Sequence, residues 1–187
     1  MSELRDELRR ALAATPAATA PELAAGETEA AVLVPLFEAD GELHAVFTRR
    51  HEDLRRHAGE IAFPGGRRDH PGEPLQETAL REAHEEIGLP PSAVELVGTL
   101  APVRTFVTGY LVFPHVGLIE SGHAWTPSPR EVAAVMELPL SALAEGYALR
   151  PMTRRGITFE TDTYLVGEHL VWGVTARILG ELLERVS

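Results

Sequence analysis

The chain has 187 residues, of which 44% are apolar and 24% charged, a composition typical of one globular domain with a substantial core. It carries 17 Lys and Arg against 28 Asp and Glu, and the resulting net charge of −11 argues against a general nucleic-acid or anionic-membrane surface. The absence of cysteine excludes a disulfide framework, a thiol nucleophile and Cys-ligated zinc or iron–sulfur sites.

The first 26 residues are predicted to form a segment that precedes the main domain. Residues 3–13 place leucines at helical spacing between charges, which predicts a short amphipathic helix packed on the domain edge. Residues 14–26, rich in Ala, Thr and Pro, are interpreted as a connector, and residues 27–187 as a single domain. Because the N-terminus has no apolar signal core and no apolar run is long enough for a membrane span, we expect a cytoplasmic protein.

Strands are predicted for much of the domain. Segments 29–37 and 43–49 are β-rich, and the turn at 39–42 between them predicts a hairpin. A short strand is expected over 60–63, ended by Pro64, Gly65 and Gly66. Further strands are expected over 94–100, 110–119, 131–138 and 158–166.

Two more helices are predicted. Residues 74–87 place Leu80, Ala83 and Ile87 on one stripe, and Gly88 followed by two prolines marks the end. Residues 171–186 form a last amphipathic helix, with Trp172 interpreted as a core anchor at its start. Strands flanked by few helices predict an α/β sandwich.

Three carboxylates share one face of the helix at 74–87. At helical periodicity Glu82, Glu85 and Glu86 fall within an arc of about 100°. Like charges this close repel, whereas a hard cation such as Mg²⁺ or Mn²⁺ would turn the repulsion into coordination. An isolated pattern of this kind is more often a solvated acidic face, so the alternative stays open at this point.

The segment before this helix favours a functional site. Gly65 and Gly66 allow close approach of the backbone, and a carbonyl there offers a further metal ligand, although the glycines are also compatible with a simple turn. Arg67 and Arg68 are suited to phosphate oxygens. Together with the carboxylates, this arrangement indicates a site for a phosphorylated ligand.

These residues resemble the Nudix box, GX5EX7REUXEEXGU, in which U is a bulky aliphatic residue. Glu73 lies the required eight positions before Arg81, and the metal-bearing core continues through Leu89. Two departures are visible: the loop is one residue longer after Gly66, and Ala83 stands at the first U position.

A second motif is similar to the signature LLTXR(S/A)X3RX3GX3FPGG of Nudix coenzyme A pyrophosphatases. It runs from Phe47 through Arg50, Arg55 and Gly59 to Gly66, with matching spacing from Arg50 onward. Phe47 replaces the second Leu of the signature, and the residue after Arg50 is His instead of Ser or Ala. The resemblance to this branch extends from about residue 30 to the C-terminal helix.

The resemblance implies a Nudix-type α/β/α sandwich with a mixed sheet. It implies metal-dependent hydrolysis of the diphosphate linkage of coenzyme A or its derivatives, yielding adenosine 3′,5′-bisphosphate and 4′-phosphopantetheine. The expected partner is thus a small nucleoside diphosphate derivative, without nucleic acid or membrane. The metal ligands implied are Gly66, Glu82, Glu85 and Glu86, holding Mg²⁺ or Mn²⁺.

The remaining roles rest partly on the same resemblance and partly on the position and chemistry of the residues. Arg81 is expected to orient the carboxylates, and Glu73 to support the loop. Glu131 is a candidate for the catalytic base or a further metal ligand, against the alternative of an ordinary Glu at a strand edge, and Glu120 is the next candidate base. The expected substrate-binding residues are Arg50, Arg55 and Arg67.

Three alternatives remain. The arginines Arg50 and Arg55 are also compatible with surface ion pairs to Glu52 or Asp53. The box specifies the diphosphate and not its flanking groups, so a hydrolase of ADP-ribose, dinucleotides or other nucleoside diphosphate derivatives is the second hypothesis. A nucleotide-sensing module without hydrolysis is the third, although no box glutamate is missing.

Overall fold

A computed structural model describes residues 2–14, 21–51, 59–105, 109–154 and 156–186. The domain is built on a mixed eight-stranded sheet in which β3, β2, β1, β7 and β5 are successive neighbours. Strand β4 pairs with β1, β6 pairs with β7 and β8 pairs with β2. These strands are β1 (Thr28–Ala39), β2 (Glu42–Arg50), β3 (Ile61–Ala62), β4 (Gly65–Arg67), β5 (Glu95–Thr99), β6 (Val103–Arg104), β7 (Tyr110–Leu118) and β8 (Val132–Pro139).

Helices cover both faces of this sheet. Helix α2 (Leu75–Ile87) buries Ala79, Ala83 and Ile87 against one face, where they meet Leu33 of β1. On the other face lie α1 (Glu3–Ala14) and α4 (Gly173–Val186), whose apolar stripes join the larger core. The α/β sandwich with a mixed sheet is confirmed, and β1 and β7 run parallel in it.

Helix α1 packs beside the edge strand β5 and against α4. Leu8 and Leu12 are buried there in the same core as the apolar residues of α4. Arg9 joins its outer surface to Glu95 of β5 through a 2.7 Å ion pair. The amphipathic period of the first helix therefore corresponds to real burial. No helix in the part of the chain that the structure describes is long and apolar enough to cross a membrane.

The region after β8 differs from the sequence prediction. A short helix α3 (Leu140–Glu145) follows β8, and a separate antiparallel sheet follows it. That sheet consists of β9 (Tyr147–Arg154), β10 (Ile157–Val166) and β11 (His169–Trp172). Trp172 ends β11 instead of opening the last helix, which begins at Gly173.

The three strands of this sheet are neighbours in the chain and are joined by tight turns, since Arg154 lies opposite Ile157 and Val166 lies opposite His169. Strand β9 pairs with β10 along its length, but it contains Pro151, a residue that argues against a strand when only the sequence is considered. Strand β11 also pairs with β10. Residues 171 and 172 directly precede α4, so the helical period of the sequence extends across them although they are in a strand.

Candidate active site

The candidate site lies where α2 passes over β4. A Cβ at Gly66 would overlap the carboxylate of Glu82 on α2, and a Cβ at Gly65 would overlap the carbonyl oxygen of Ala31 in β1. The sequence predicts that these glycines end a strand, but in the structure both lie within one, β4. They are required because β4 must approach β1 and α2 closely at the same point.

The end of α2 fixes the next loop of the site. Gly88 adopts a left-handed φ of 74° and ends the helix. The last carbonyls of the helix then accept hydrogen bonds from the loop, at 2.8 Å from the N–H of Ser128 to Glu86 and at 3.0 Å from the N–H of Thr126 to Ile87. The loop that leads to β8 is therefore held against the helix that carries the carboxylates.

Arg81 joins the carboxylates and the preceding loop. Its Nε lies 2.8 Å from Oε1 of Glu73, and its Nη1 lies 2.9 Å from Oε1 of Glu82 and 3.4 Å from Glu85. Its Nη2 donates to the backbone carbonyl of Arg67 at 2.9 Å. One guanidinium thus fixes carboxylates from the loop and from the helix, the orienting role expected of it.

Glu73 supports the loop between β4 and α2. The residue is 7% exposed, and its Oε2 accepts a 2.8 Å hydrogen bond from the N–H of Asp69. The hydrogen bond from Arg81 is the main reason that the pKa of Glu73 is lowered to about 2, although burial opposes the shift. Glu73 is therefore engaged within the loop at neutral pH.

Glu86 is the most buried carboxylate of the site, with 5% of the residue exposed. Its Oε2 accepts a 3.2 Å hydrogen bond from the N–H of Gly65, and its Oε1 lies 3.7 Å from Nη1 of Arg50. Burial raises the pKa of Glu86 to about 7, and these two contacts oppose the rise without cancelling it. The protein holds a carboxylate here at an electrostatic cost.

The other two helix carboxylates differ in exposure. The side chain of Glu82 is 18% exposed and that of Glu85 is 57% exposed. Burial raises the pKa of Glu82, and its contacts with Arg81 oppose this. The three carboxylates predicted to share a face therefore grade from a buried environment to solvent.

Glu131 and Arg50 reach the same cluster from the opposite side. Oε2 of Glu131 lies 3.9 Å from Nη2 of Arg50, and the N–H of His51 donates to the Glu131 carbonyl at 3.1 Å. Glu131 directly precedes β8, one residue earlier than the strand's first residue, and its side chain is half-exposed. Its charge adds to the raised pKa of both Glu82 and Glu86.

The other predicted residues lie in different places. The side chain of Arg67 is exposed beside the site, and Arg55 lies outside the described residues, as do Glu52 and Asp53. Glu120 pairs with Arg5 of α1 at 2.7 Å, at the end of β7 remote from β4. The structure therefore separates Glu120 from the carboxylate cluster.

Sequence reasoning predicted a backbone carbonyl near Gly66 as a metal ligand but missed two other backbone contributions to this site. The N–H of Gly65 and the carbonyl of Arg67 bind site side chains, and backbone groups leave no mark on residue type. It also missed that Arg50 and Glu131 are neighbours. The only signal available was their separate positions, one near the end of β2 and one before β8.

The donor set suits a hard divalent cation by its chemistry. Carboxylate oxygens of Glu82, Glu85 and Glu86, with a backbone carbonyl near Gly66, are the oxygen ligands that Mg²⁺ and Mn²⁺ prefer. A cation here would also compensate the buried charge of Glu86. Among the residues whose placement is described, no three acidic or histidine side chains already form a metal-binding cluster, and Arg81 pairs with both Glu82 and Glu85. The residues fit such an ion provided that these side chains converge.

Comparison with known proteins gives a consistent family. The family model described as the NUDIX domain matches residues 27–155. A Photorhabdus laumondii protein named as an uncharacterized Nudix hydrolase, NudL, is 41% identical over 160 residues, covering 84% of this chain and 84% of that protein.

Solved structures share the fold. The crystal structure of RenU, a Nudix hydrolase from M. smegmatis, has a TM-score of 0.53 at 23% identity, covering 64% of this chain and 74% of its own. The NUDIX domain of Shewanella oneidensis NrtR, cocrystallised with ADP ribose, has a TM-score of 0.53 at 20% identity, covering 78% of this chain and 88% of its own. At these identities the likeness is one of architecture.

Proposed function

The chain belongs to the Nudix hydrolase family, and from that premise we propose that it hydrolyses the diphosphate linkage of coenzyme A and its derivatives. As a Nudix hydrolase it acts on a pyrophosphate-containing substrate. The proposed products are adenosine 3′,5′-bisphosphate and 4′-phosphopantetheine, with water supplying the oxygen and one P–O bond of the diphosphate breaking.

The observation that carries the proposal is the placement of the motif similar to coenzyme A pyrophosphatases. The motif runs from β2 to β4, and its two ends flank the buried carboxylate: Arg50 lies 3.7 Å from Glu86, and Gly65 donates to Glu86 at 3.2 Å. Because residues of this motif contact the buried carboxylate, the motif lies where it can contact the substrate as well as support the fold.

The roles of the individual residues are part of this proposal. Glu82, Glu85 and Glu86, with the carbonyl of Gly66, would hold Mg²⁺ or Mn²⁺, in keeping with the general use of divalent metal ions by Nudix hydrolases. When bound, such an ion supplies charge neutralisation at phosphoryl oxygens and acidifies water. Arg81 keeps Glu82 in place.

Glu131 is proposed as the general base. Its side chain is half-exposed, so water reaches it, and it lies next to Arg50 at the open side of the cluster. A carboxylate in this position accepts the proton of the attacking water as the new P–O bond forms. Arg50, Arg55 and Arg67 are proposed to contact the substrate's phosphates, Arg55 at the ribose 3′-phosphate.

Glu131→Gln is expected to lower kcat by about 100- to 10,000-fold with little change in KM, because a base that acts in the transition state is removed. The rise of kcat with pH should also flatten. Steady-state kinetics across pH at saturating Mg²⁺ measure both effects.

Glu120→Gln is the matched control, since Glu120 is an exposed glutamate paired with Arg5 away from the cluster. Its kcat should equal that of the wild type. An unchanged kcat in Glu131→Gln would mean that another group is the base.

Substrate choice is tested by comparing coenzyme A with 3′-dephospho-coenzyme A, ADP-ribose and NADH at one salt concentration. The wild type should prefer coenzyme A over the dephospho form. Arg55→Ala should reduce kcat/KM on coenzyme A by about 10- to 150-fold and leave the dephospho form nearly unchanged, because a charged hydrogen bond to the 3′-phosphate is lost.

Arg10→Ala controls for the change in net charge, because Arg10 lies on α1 and bonds the carbonyl of Asp6. Arg10→Ala should leave kcat/KM unchanged for both coenzyme A and 3′-dephospho-coenzyme A. If the wild type prefers ADP-ribose, the second hypothesis, a hydrolase of ADP-ribose or related nucleoside diphosphate derivatives, is correct. If the protein binds these nucleotides without hydrolysing any of them, it is a sensing module.

A further inference from the structure

Arg50 is aimed at the candidate site by an irregularity of the sheet. In the pairing of β2 with β8, Arg49 lies opposite Ala134 but Arg50 lies opposite Val132, so a bulge occurs between these two positions. Bulges redirect a side chain and are found beside active sites. Here the bulge coincides with the arginine that stands between Glu86 and Glu131.

The hold of Arg50 on these carboxylates is loose. Its terminal nitrogens lie 3.7 Å from Glu86 and 3.9 Å from Glu131, beyond the distance of a charged hydrogen bond. Its Nε is buried and has no hydrogen-bond partner among the residues that the structure describes. Arg81, on the other side of the cluster, bonds Glu73 and Glu82 at 2.8 and 2.9 Å. Arg81 is therefore hydrogen-bonded to its carboxylates, whereas Arg50 only lies near its carboxylates.

This looseness has a consequence for any cation that approaches Glu86. A nearly buried carboxylate needs a positive neighbour, and Arg50 provides it. A divalent cation on Glu86 would provide the same charge and would repel the guanidinium. Arg50 would then be released with its unfilled donors toward an acceptor that matches its planar fork, and phosphate oxygens are such an acceptor.

We propose that Arg50 is a stand-in cation: it neutralises Glu86 in the metal-free protein, yields that carboxylate to the divalent ion, and then contacts the substrate's diphosphate. This inference rests on the proposed function, because it needs Glu86 to be a metal ligand. In this proposal the metal ion binds first, and Arg50 becomes available to the phosphates of the substrate only afterwards.

The first test is Mn²⁺ affinity without substrate, measured by electron paramagnetic resonance of free Mn²⁺. Arg50→Gln should bind Mn²⁺ about tenfold more tightly than the wild type, because the competing charge is gone. Arg50→Lys keeps the charge and should stay within about threefold of the wild type. Circular dichroism checks folding, and Arg50→Met, which keeps the apolar stem, repeats the test should Arg50→Gln not fold.

Arg9→Gln is the matched control for net charge. Arg9 is an arginine in an ion pair with Glu95 at the far edge of the sheet, and its replacement should leave Mn²⁺ affinity unchanged. Equal tightening in Arg9→Gln and Arg50→Gln would reduce the effect to overall charge and overturn the proposal.

The second test is catalytic efficiency at saturating Mn²⁺, on whichever of coenzyme A and ADP-ribose the wild type hydrolyses faster. Arg50→Gln should lower kcat/KM by about 10- to 100-fold, since the freed guanidinium is missing from the diphosphate. If Arg50 is a stand-in cation, Arg50→Gln binds Mn²⁺ more tightly and has a lower kcat/KM. If the role of Arg50 is merely structural, Arg50→Gln has both a lower Mn²⁺ affinity and a lower kcat/KM.

The outcomes separate the two proposals. Wild-type protein that binds no Mn²⁺ would remove the metal role proposed for Glu82, Glu85 and Glu86. Wild-type protein that binds Mn²⁺, with Arg50→Gln binding it equally or more weakly, would overturn the role of Arg50 alone.

Discussion

Glu86→Gln is expected to abolish measurable hydrolysis while making the metal-free protein more stable at pH 8. Gln keeps the shape of the side chain but removes the charge that would hold a divalent cation, so turnover should fall by at least about 1,000-fold. Release of phosphorylated product at saturating Mg²⁺ measures the loss.

The gain in stability follows from the raised pKa. The pKa of Glu86 is about 7 in the folded protein against an ordinary 4.5, so the folded state binds more protons between these values. The metal-free wild type therefore loses stability as pH rises from about 4.5 to 7, by about 3 kcal/mol, since one pKa unit corresponds to about 1.4 kcal/mol. Gln resembles the protonated form and avoids this loss at pH 8, whereas near pH 4 the two proteins should be equally stable.

Urea denaturation in the presence of EDTA at pH 4 and pH 8 measures this difference. Glu77→Gln is the matched control, because Glu77 is an exposed glutamate of the same helix. It should change neither turnover nor the pH dependence of stability. Normal turnover in Glu86→Gln would contradict the assignment of Glu86. So would an equal loss of stability between pH 4 and pH 8 in the wild type and in Glu86→Gln.

Arg81→Met is expected to cost about 3 kcal/mol of stability at pH 7 and most of the activity. It leaves the carboxylates of Glu73 and Glu82 partly buried without their cation, the situation in which breaking an ion pair is most destabilising. Activity falls because Glu82 loses the contact that orients it. Urea denaturation and product release measure the two losses.

The pH dependence gives a second readout. The pKa of Glu73 is lowered to about 2, so its pairing with Arg81 stabilises the fold above about pH 4.5, and this contribution is lost as pH falls toward 2. The wild type should lose stability over this range, and Arg81→Met should lose less.

Arg68→Met is the matched control for the loss of an arginine. Arg68 pairs with Glu29 at 2.7 Å, but the side chain of Glu29 is 25% exposed against 8% for Glu73, so water can solvate its carboxylate and the cost should stay below about 1 kcal/mol. Equal costs in the two variants would show that Arg81 is an ordinary surface arginine.

The sequence by itself determined the local part of this site. The 3.6-residue period of α2 brings Glu82, Glu85 and Glu86 to one face whatever surrounds the helix, and Gly88 ends it. The spacing from Glu73 to Arg81 likewise identified the loop and the helix that meet. These features follow from backbone geometry over a few residues, which is why spacing alone predicts them.

Only the tertiary structure decided which groups face these carboxylates. Arg50 reaches Glu86 because β2 pairs with β8 through a bulge, and Glu131 arrives because its loop is bonded to the end of α2. In the sheet of β9 to β11 the sequence predicted β10 but not its neighbours, because β9 contains Pro151 and β11 runs directly into α4. Burial, which separates Glu86 from Glu85, is a property of the assembled layers, and no local pattern encodes the neighbours that create it.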